Sequence, residues 1–584
     1  MNAAHPLLPF ARRALRRLAI AVLAGSFVTA AWAQGTVVGN VAGDDWSVPA
    51  WVTPAPGSGF FSENADSSRH VDLPVVDLTW RQLVPSPGLF STTTTDSVYG
   101  MSFASWNTQL AGNQPYWLRL WISGTDWAPA WAQSACSVAT VGVGYEGDGH
   151  LPIWNACLWG HAKEMLREVL LTRGLRSDPR LTFVYVPGAF TWCEFDFDVV
   201  SQAAQAGAVT HSEFTSWFST MTADLVALMN GENADPSDDY AWKLVFTGED
   251  YPWSPWGNAD ALLARDAVTA GMGIRTGITE VFNFHLSQVP AYGTTIGPLG
   301  YLETDESAPA FHRGRIRATE NECYNDCGFT TADPEYAVKM SNLKALQLRM
   351  NRLYVVPAAS YLDLYSEHWG WVRHSLGQSV YTAGDAWVAL REAEDTFWMD
   401  NPSVTWSGKP WIKNWERFLV QRDFAPEAVT RRGTDVHSNV LDPANGTAYE
   451  GRRTERAAGR DRMLLFVDDR FALPGRSGAY DLKVTYLDAG SGSFHLEYPT
   501  AAGSPASDAV PLAGSGLWRT ATFRLDDALW SNALAHGADL ALVAAGPADL
   551  EARFVRLVRR ERPTVIFLDG FDTAGAGIWS EQRP

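Results

Sequence analysis

From about Val75 to Leu362, short apolar runs alternate with amphipathic stretches. The runs Val75–Leu83, Tyr116–Ile122, Val138–Gly144, Leu181–Val186, Trp242–Thr247, Ile278–His285, Arg315–Thr319 and Leu353–Val356 read as strands. Several are apolar nearly throughout, as parallel strands covered on both faces are. Among the intervening helices, Glu213–Asn230 is the clearest: Phe214, Trp217, Phe218, Met221, Leu225, Leu228 and Met229 recur at i, i+3, i+4, i+7 spacing. Thr210 and Glu213 stand in front of it at capping-box spacing. Further helices are expected at Ala156–Leu171, Ala259–Ala270 and Glu335–Arg352. Eight strands alternating with helices fit one (β/α)8 barrel. An open doubly wound sheet is the alternative, weakened because no Gly-rich phosphate loop opens a helix.

A helix at Ala386–Phe397 and the Trp-rich stretch through Trp406, Trp411 and Trp415 lead out of this region. After Gly433 the period changes to two. Leu482, Val484 and Tyr486 alternate, then Phe494, Leu496 and Tyr498, then Phe523 and Leu525, with Gly/Ser/Pro turns between. That pattern predicts a β-sandwich. The expected fold class is α/β, a (β/α)8 TIM barrel followed by an all-β sandwich. Its expected parts are a signal peptide (1–33), a lead segment (34–74), the barrel with a helical extension (75–429), the sandwich (430–560) and a tail (561–584).

Composition narrows the partners. The 584 residues are 46% hydrophobic and 19% charged, enough apolar material to exclude intrinsic disorder. The net charge of −19 argues against nucleic acid, which requires a basic footprint. Arg12, Arg13, Arg16 and Arg17 precede the apolar run Leu18–Ala30, and Ala31-Trp32-Ala33 follows, the pattern of a cleaved secretory signal. The run is shorter than the ~20 residues of a spanning helix, so a secreted or periplasmic product without membrane insertion is expected. In an oxidising compartment the five cysteines suggest disulfides, with Cys136–Cys157 and Cys323–Cys327 as candidate pairs and Cys193 left odd. No Cys/His spacing matches a zinc site, so neither metal nor cofactor is expected. The end of the chain, Leu568-Asp569-Gly570-Phe571-Asp572 with Trp579-Ser580, resembles a short Asp-Gly-Phe tail of some exported Gram-negative proteins.

In such a barrel the site lies at the C-terminal strand ends. Acidic residues end three of the expected strands: Glu194 beyond the fourth, Glu249 beyond the fifth, and Glu320 and Glu322 at the seventh. Asn283 and His285 end the sixth. Trp192, Trp253, Trp256, Trp369 and Trp371 fall on expected loops, where an apolar face with a polar edge suits a sugar. Glycoside hydrolysis needs two carboxyl groups facing each other across the scissile bond.

Glu at the tips of strands four and seven resembles the clan A (β/α)8 glycoside hydrolases, the cellulases, mannanases and β-galactosidases, over roughly 75–380. Pro152-Ile153-Trp154-Asn155 and Arg119, expected on strand two, are similar to that family too. The resemblance implies a retaining hydrolase of a poly- or oligosaccharide, with Glu194 as acid/base and Glu320 as nucleophile. Arg119, Asn283 and His285 are then supporting polar groups, and Trp192, Trp253, Trp256 and Trp369 sugar-binding ones. Glu322 and Glu249 are alternative carboxylates. Cys193 departs from the family, which carries Asn before the acid/base Glu. That departure keeps open a non-catalytic glycan-binding protein, and the alternative pairs keep open an inverting enzyme. The C-terminal region resembles carbohydrate-binding or accessory β-domains, with Trp518 and Tyr498 as candidate contacts.

Overall fold

The computed structural model describes residues 35–96, 101–106, 112–144, 146–188, 191–195, 197–233, 235–247, 263–278, 293–296, 301–321, 334–356, 361–393, 413–438 and 447–563. Eight parallel strands form one sheet: Gly59–Phe61, Val75–Thr79, Tyr116–Trp121, Leu181–Tyr185, Leu244–Thr247, Gly273–Ile278, Arg317–Asn321 and Arg352–Val355, the first to eighth strands below. Second to eighth pair in chain order, and the eighth pairs with the first. No ladder joins the first to the second, so the expected closed barrel is a curled sheet with one open seam. The first strand is only three residues long, and a single 3-10 turn at Ser67–Arg69 stands where a crossover helix would be. Two backbone bonds still cross the seam, from Ser62 N–H to the Leu73 carbonyl and from Val75 N–H to the Glu63 carbonyl, each 3.3 Å.

The curl follows from ring contacts. In a flat sheet of this order the first and fourth strands would lie five spacings, about 24 Å, apart. Instead the Phe61 and Phe183 ring centroids are 5.2 Å apart. Side-chain parity then separates two cores. Phe61, Trp117, Phe183, Tyr185, Val245 and Ala318 fill the inside, while Leu118, Val184, Phe246, Ile274 and Leu353 pack outward in the core shared with the helices. One covering helix, His211–Met229, carries the capping box of Thr210 and Glu213 and buries Phe214, Trp217, Phe218 and Met221.

Two strand expectations fail and cancel. Val138–Gly144 is outside the parallel sheet: only Gly142–Val143 is extended, in a hairpin with Gly149–His150. Gly59–Phe61 was too short to show any period. The strand at Leu181 therefore remains fourth, but Arg119 lies on the third strand, not the second. The sixth strand is Gly273–Ile278 rather than Ile278–His285, whose remainder lies outside the described residues.

The helix expected at Ala386–Phe397 is instead the strand Asp385–Ala389 followed by Arg391–Ala393. Asp385–Ala389 is buried on both faces: Trp387 packs in the core of the parallel-sheet region, Ala386 and Val388 in that of the antiparallel one. An apolar run covered on both sides has no period, which is why it mimicked a helix. It belongs to an antiparallel sheet in the order Thr36–Ala42, Leu517–Leu529, Ser477–Asp488, Glu551–Arg559, Asp385–Ala389, Trp415–Arg417. A second sheet runs Leu419–Arg422, Arg462–Val467, Leu540–Ala545, Gly492–Glu497, Val510–Leu512. Leu482, Val484 and Phe523 of the first sheet share one buried cluster with Leu465, Phe494 and Leu542 of the second. Tyr498 is buried in that cluster with its hydroxyl on Asp527. Trp518 lies half-buried under Arg553, its indole N–H on Asp435. Tyr498 is therefore no open platform for glycan.

Charge joins the two regions. Lys339, on the helix Pro334–Gln347, contacts Glu450 and lies 3.6 Å from Asp44. Arg553 meets Asp44 at 2.9 Å and Glu450 at 3.5 Å. His437 stacks on Tyr336, centroids 3.8 Å apart, and lies 3.5 Å from Asp435 and 3.4 Å from Glu450. The ligand atoms of Asp435, His437 and Glu450 are within 4.8 Å of one another, but Lys339 and Arg553 already neutralise the carboxylate shared with His437. Cys136–Cys157 is formed, as expected, and Cys193 is a buried free thiol. Cys323 and Cys327, the signal segment and the Asp-Gly-Phe tail lie outside the described residues. Among the described residues no helix is long and apolar enough to cross a membrane.

Two outcomes are expected. Removing the Cys136–Cys157 bond, which spans 21 residues, lowers stability by about 3 kcal/mol in urea unfolding. Burial pushes His437 down, but Asp435 and Glu450 outweigh it and lift the imidazole to about 9. A raised histidine stabilises fully below its unfolded value near 6.5 and loses that contribution as pH rises through 9. The stability gap between the protein and His437→Gln, roughly 3 kcal/mol at pH 6, should close by pH 10. A gap that does not change with pH contradicts this.

Candidate active site

The inner face changes character toward the C-terminal strand ends. Below lie Phe61, Trp117 and Phe183; above lie Asp77, Arg119, Thr247, Arg275 and Glu320, all buried. Parity places them there, since Arg119 follows Trp117 by two and Glu320 follows Ala318 by two.

Arg275 of the sixth strand is central. Its Nη1 lies 2.9 Å from Glu194 Oε1, and its Nη2 contacts Glu320 Oε2. One guanidinium thus meets carboxylates from beyond the fourth strand and from the seventh. Their surroundings differ: the Glu194 side chain is 31% exposed and that of Glu320 5%. Tyr354, opposite Glu320 in the ladder, has its ring 6.0 Å from the guanidinium. Burial pushes the nearby Tyr185 phenol up, so it stays protonated.

Arg119 anchors the other side. Asp77 holds it through Nε at 2.7 Å and Nη2 at 3.0 Å, and Glu63 lies 2.9 Å away. Burial opposes its charge, but these carboxylates outweigh it and keep the guanidinium ionised. It packs on the rings of Trp117, Trp121 and Trp192 at 5.1–5.3 Å. Trp192 is half-buried in the turn before Glu194, its indole N–H 3.4 Å from Glu146.

Glu194 sits on that turn, not on the strand. Gly188, at φ +107°, starts the departure; a Cβ there would lie 3.4 Å from Trp217. Trp192 and Cys193 both adopt left-handed φ, +55° and +57°, at about 1–2 kcal/mol each for residues with side chains. Burial pushes the Cys193 thiol well up, so it is a neutral packing group. Beside the turn, His150 lies 3.1 Å from Ser123 Oγ, 3.2 Å from Thr191 Oγ1 and 2.6 Å from Asp148. Burial pulls this imidazole below its usual range, against the pull of Asp148.

Of the residues expected from sequence, Glu194, Glu320, Arg119 and Trp192 come together. Trp369 does not: it lies in the helix Ser366–Ser375, buried against Phe60 and Tyr361, because the segment is a helix and not a loop. Trp371 is buried in the same helix. Glu249, Glu322, Trp253, Trp256, Asn283 and His285 lie outside the described residues. Asn155 is a helix N-cap, accepting from Cys157 and Leu158 N–H. Asp77, Glu63, Thr247 and Arg275 were missed. An Arg inside the run Gly273-Ile274-Arg275 was a signal, lost because the strand was set five residues late.

No protein-family model matches the chain, and no curated protein does. Among solved structures it is similar to a β-glucosidase from Paenibacillus barengoltzii, with 10% identity, a TM-score of 0.18, and coverage of 70% of this chain and 40% of that one. The chain thus spans two fifths of that structure's length, and a likeness this low carries no argument.

Arg275→Met should destabilise the fold by about 3 kcal/mol in urea unfolding, by leaving the buried Glu320 without this cation. Adding Glu320→Gln should recover part of that loss. Unchanged stability in Arg275→Met contradicts the ion-pair reading.

Proposed function

We propose that this chain is an exported glycoside hydrolase that cleaves O-glycosidic bonds of a poly- or oligosaccharide by a retaining, double-displacement mechanism. The observation that carries the reading is the single guanidinium of Arg275 meeting Glu194 and Glu320 at the C-terminal end of a curled parallel sheet. Two carboxylates facing one point is the arrangement this chemistry requires.

The difference in exposure assigns the roles. Glu320, buried and ion-paired, suits a nucleophile that attacks the anomeric carbon. Glu194, open to solvent, suits the group that exchanges protons. In the first step Glu194 in its acid form gives a proton to the leaving oxygen while Glu320 forms the glycosyl ester. In the second, Glu194 takes a proton from water as that water displaces Glu320. Glu194 must part from Arg275 to carry a proton, so a sugar entering between them is part of the cycle. Half-buried Trp192 offers a ring to that sugar. The Arg-led apolar run before Ala31-Trp32-Ala33 and the Cys136–Cys157 bond support export.

A second reading, a glycan-binding protein without turnover, draws on the same ion pair, since Arg275 occupies the Glu194 carboxyl group. Reducing-sugar release and binding across one polysaccharide panel separate the two. Glu194→Gln and Glu320→Gln should each lose about 1000-fold or more in turnover while remaining folded. Near-normal turnover in either variant sinks the assignment, and inverted product stereochemistry by NMR sinks the retaining mechanism.

A further inference from the structure

We propose that Thr247 is a positioning residue that clamps the chain on both sides of Glu194 and so aims its carboxylate at Arg275. The proposal rests on the hydrolase reading for its effect on rate, but not for its effect on structure. Thr247 ends the fifth strand and is fully buried. Its hydroxyl donates to the Cys193 carbonyl at 2.7 Å, and its own carbonyl accepts from Phe195 N–H at 3.0 Å. These bonds grip the residues immediately before and after Glu194.

The turn needs such a grip. Trp192 and Cys193 are consecutive left-handed residues with side chains, a conformation that persists only where its surroundings over-determine it. Inside the turn, Glu194 N–H bonds to the Thr191 carbonyl at 2.9 Å. The Thr191 hydroxyl is in turn tied to His150, and Arg119 lies against the Trp192 ring. These contacts hold the start of the turn; Thr247 holds its end, from a different strand. The Cys193 carbonyl is buried with its residue, so removing the hydroxyl leaves a buried acceptor without this donor. Relaxation of Cys193 would swing Glu194, whose contact with Arg275 depends on the direction of the same backbone.

Thr247→Val keeps the shape and removes the donor; Thr247→Ala removes it with less bulk, should the first fold poorly; Thr247→Ser keeps it. The first two should lower kcat about 100-fold, as expected for a displacement of about 1 Å, with KM within about threefold, and Thr247→Ser should restore kcat. A readout independent of turnover is alkylation of Cys193 by iodoacetamide, followed at its own peptide by mass spectrometry. Labelling should be at least tenfold faster in the Val and Ala variants than in the protein and Thr247→Ser. Loss of rate without faster labelling overturns the proposal, as does unchanged rate with unchanged labelling. Faster labelling in a protein that hydrolyses no glycan at all upholds the clamp and overturns the hydrolase reading.

Discussion

A buried guanidinium must be met by negative charge, and Arg275 is buried at the centre of the parallel sheet. Glu194 and Glu320 meet it, and the surrounding geometry follows from that requirement. Glu320 must lie on the inner face of the seventh strand, in parity with Ala318. Glu194 must be brought over the sheet by a turn, because the fourth strand ends at Tyr185, well short of it. The turn then needs two left-handed residues and a tie from the fifth strand. Arg119 repeats the arrangement on the third strand, with Asp77 and Glu63 as its counterions.

The layer beneath those charges makes them possible. Phe61, Trp117, Phe183 and Tyr185 fill the curled interior from the first, third and fourth strands. They exclude water from below, so the charged layer is desolvated from that side. The seam between the first and second strands interrupts the ladder without interrupting this packing, since Phe61 still touches Trp117, Phe183 and Tyr354. On the outside, the strand Asp385–Ala389 serves two cores at once, and the network of Asp44, Lys339, Glu450 and Arg553 closes the same boundary with charge.

The legibility of this structure in its sequence varied with the kind of signal. Glu213–Asn230 was legible because seven apolar residues kept one helical stripe and a capping pair marked its start. The strands Tyr116–Trp121, Leu181–Tyr185 and Leu244–Thr247 were legible because their runs are apolar nearly throughout and bounded by turns. Gly59–Phe61 was not, being too short for any period. Asp385–Ala389 was misread because burial on both faces erases the alternation that identifies a strand. Trp369 and Trp371 were misplaced for a related reason: in a helix buried on several sides, aromatic residues look the same as they do in a loop.

Sequence alone determined the alternation of strand and helix, the antiparallel C-terminal region, and the presence of Glu194 beyond the fourth strand and of Glu320 at the seventh. Those properties depend on neighbours a few residues apart, which is the range over which periodicity acts. Tertiary structure alone decided that these carboxylates share Arg275, that Thr247 grips the turn between Cys193 and Phe195, and that Asp77 and Glu63 hold Arg119. Each of those contacts joins residues roughly 40 to 80 positions apart, brought together from different strands and the turns that follow them. No local pattern encodes them, because they arise only when the sheet curls and its strand ends converge.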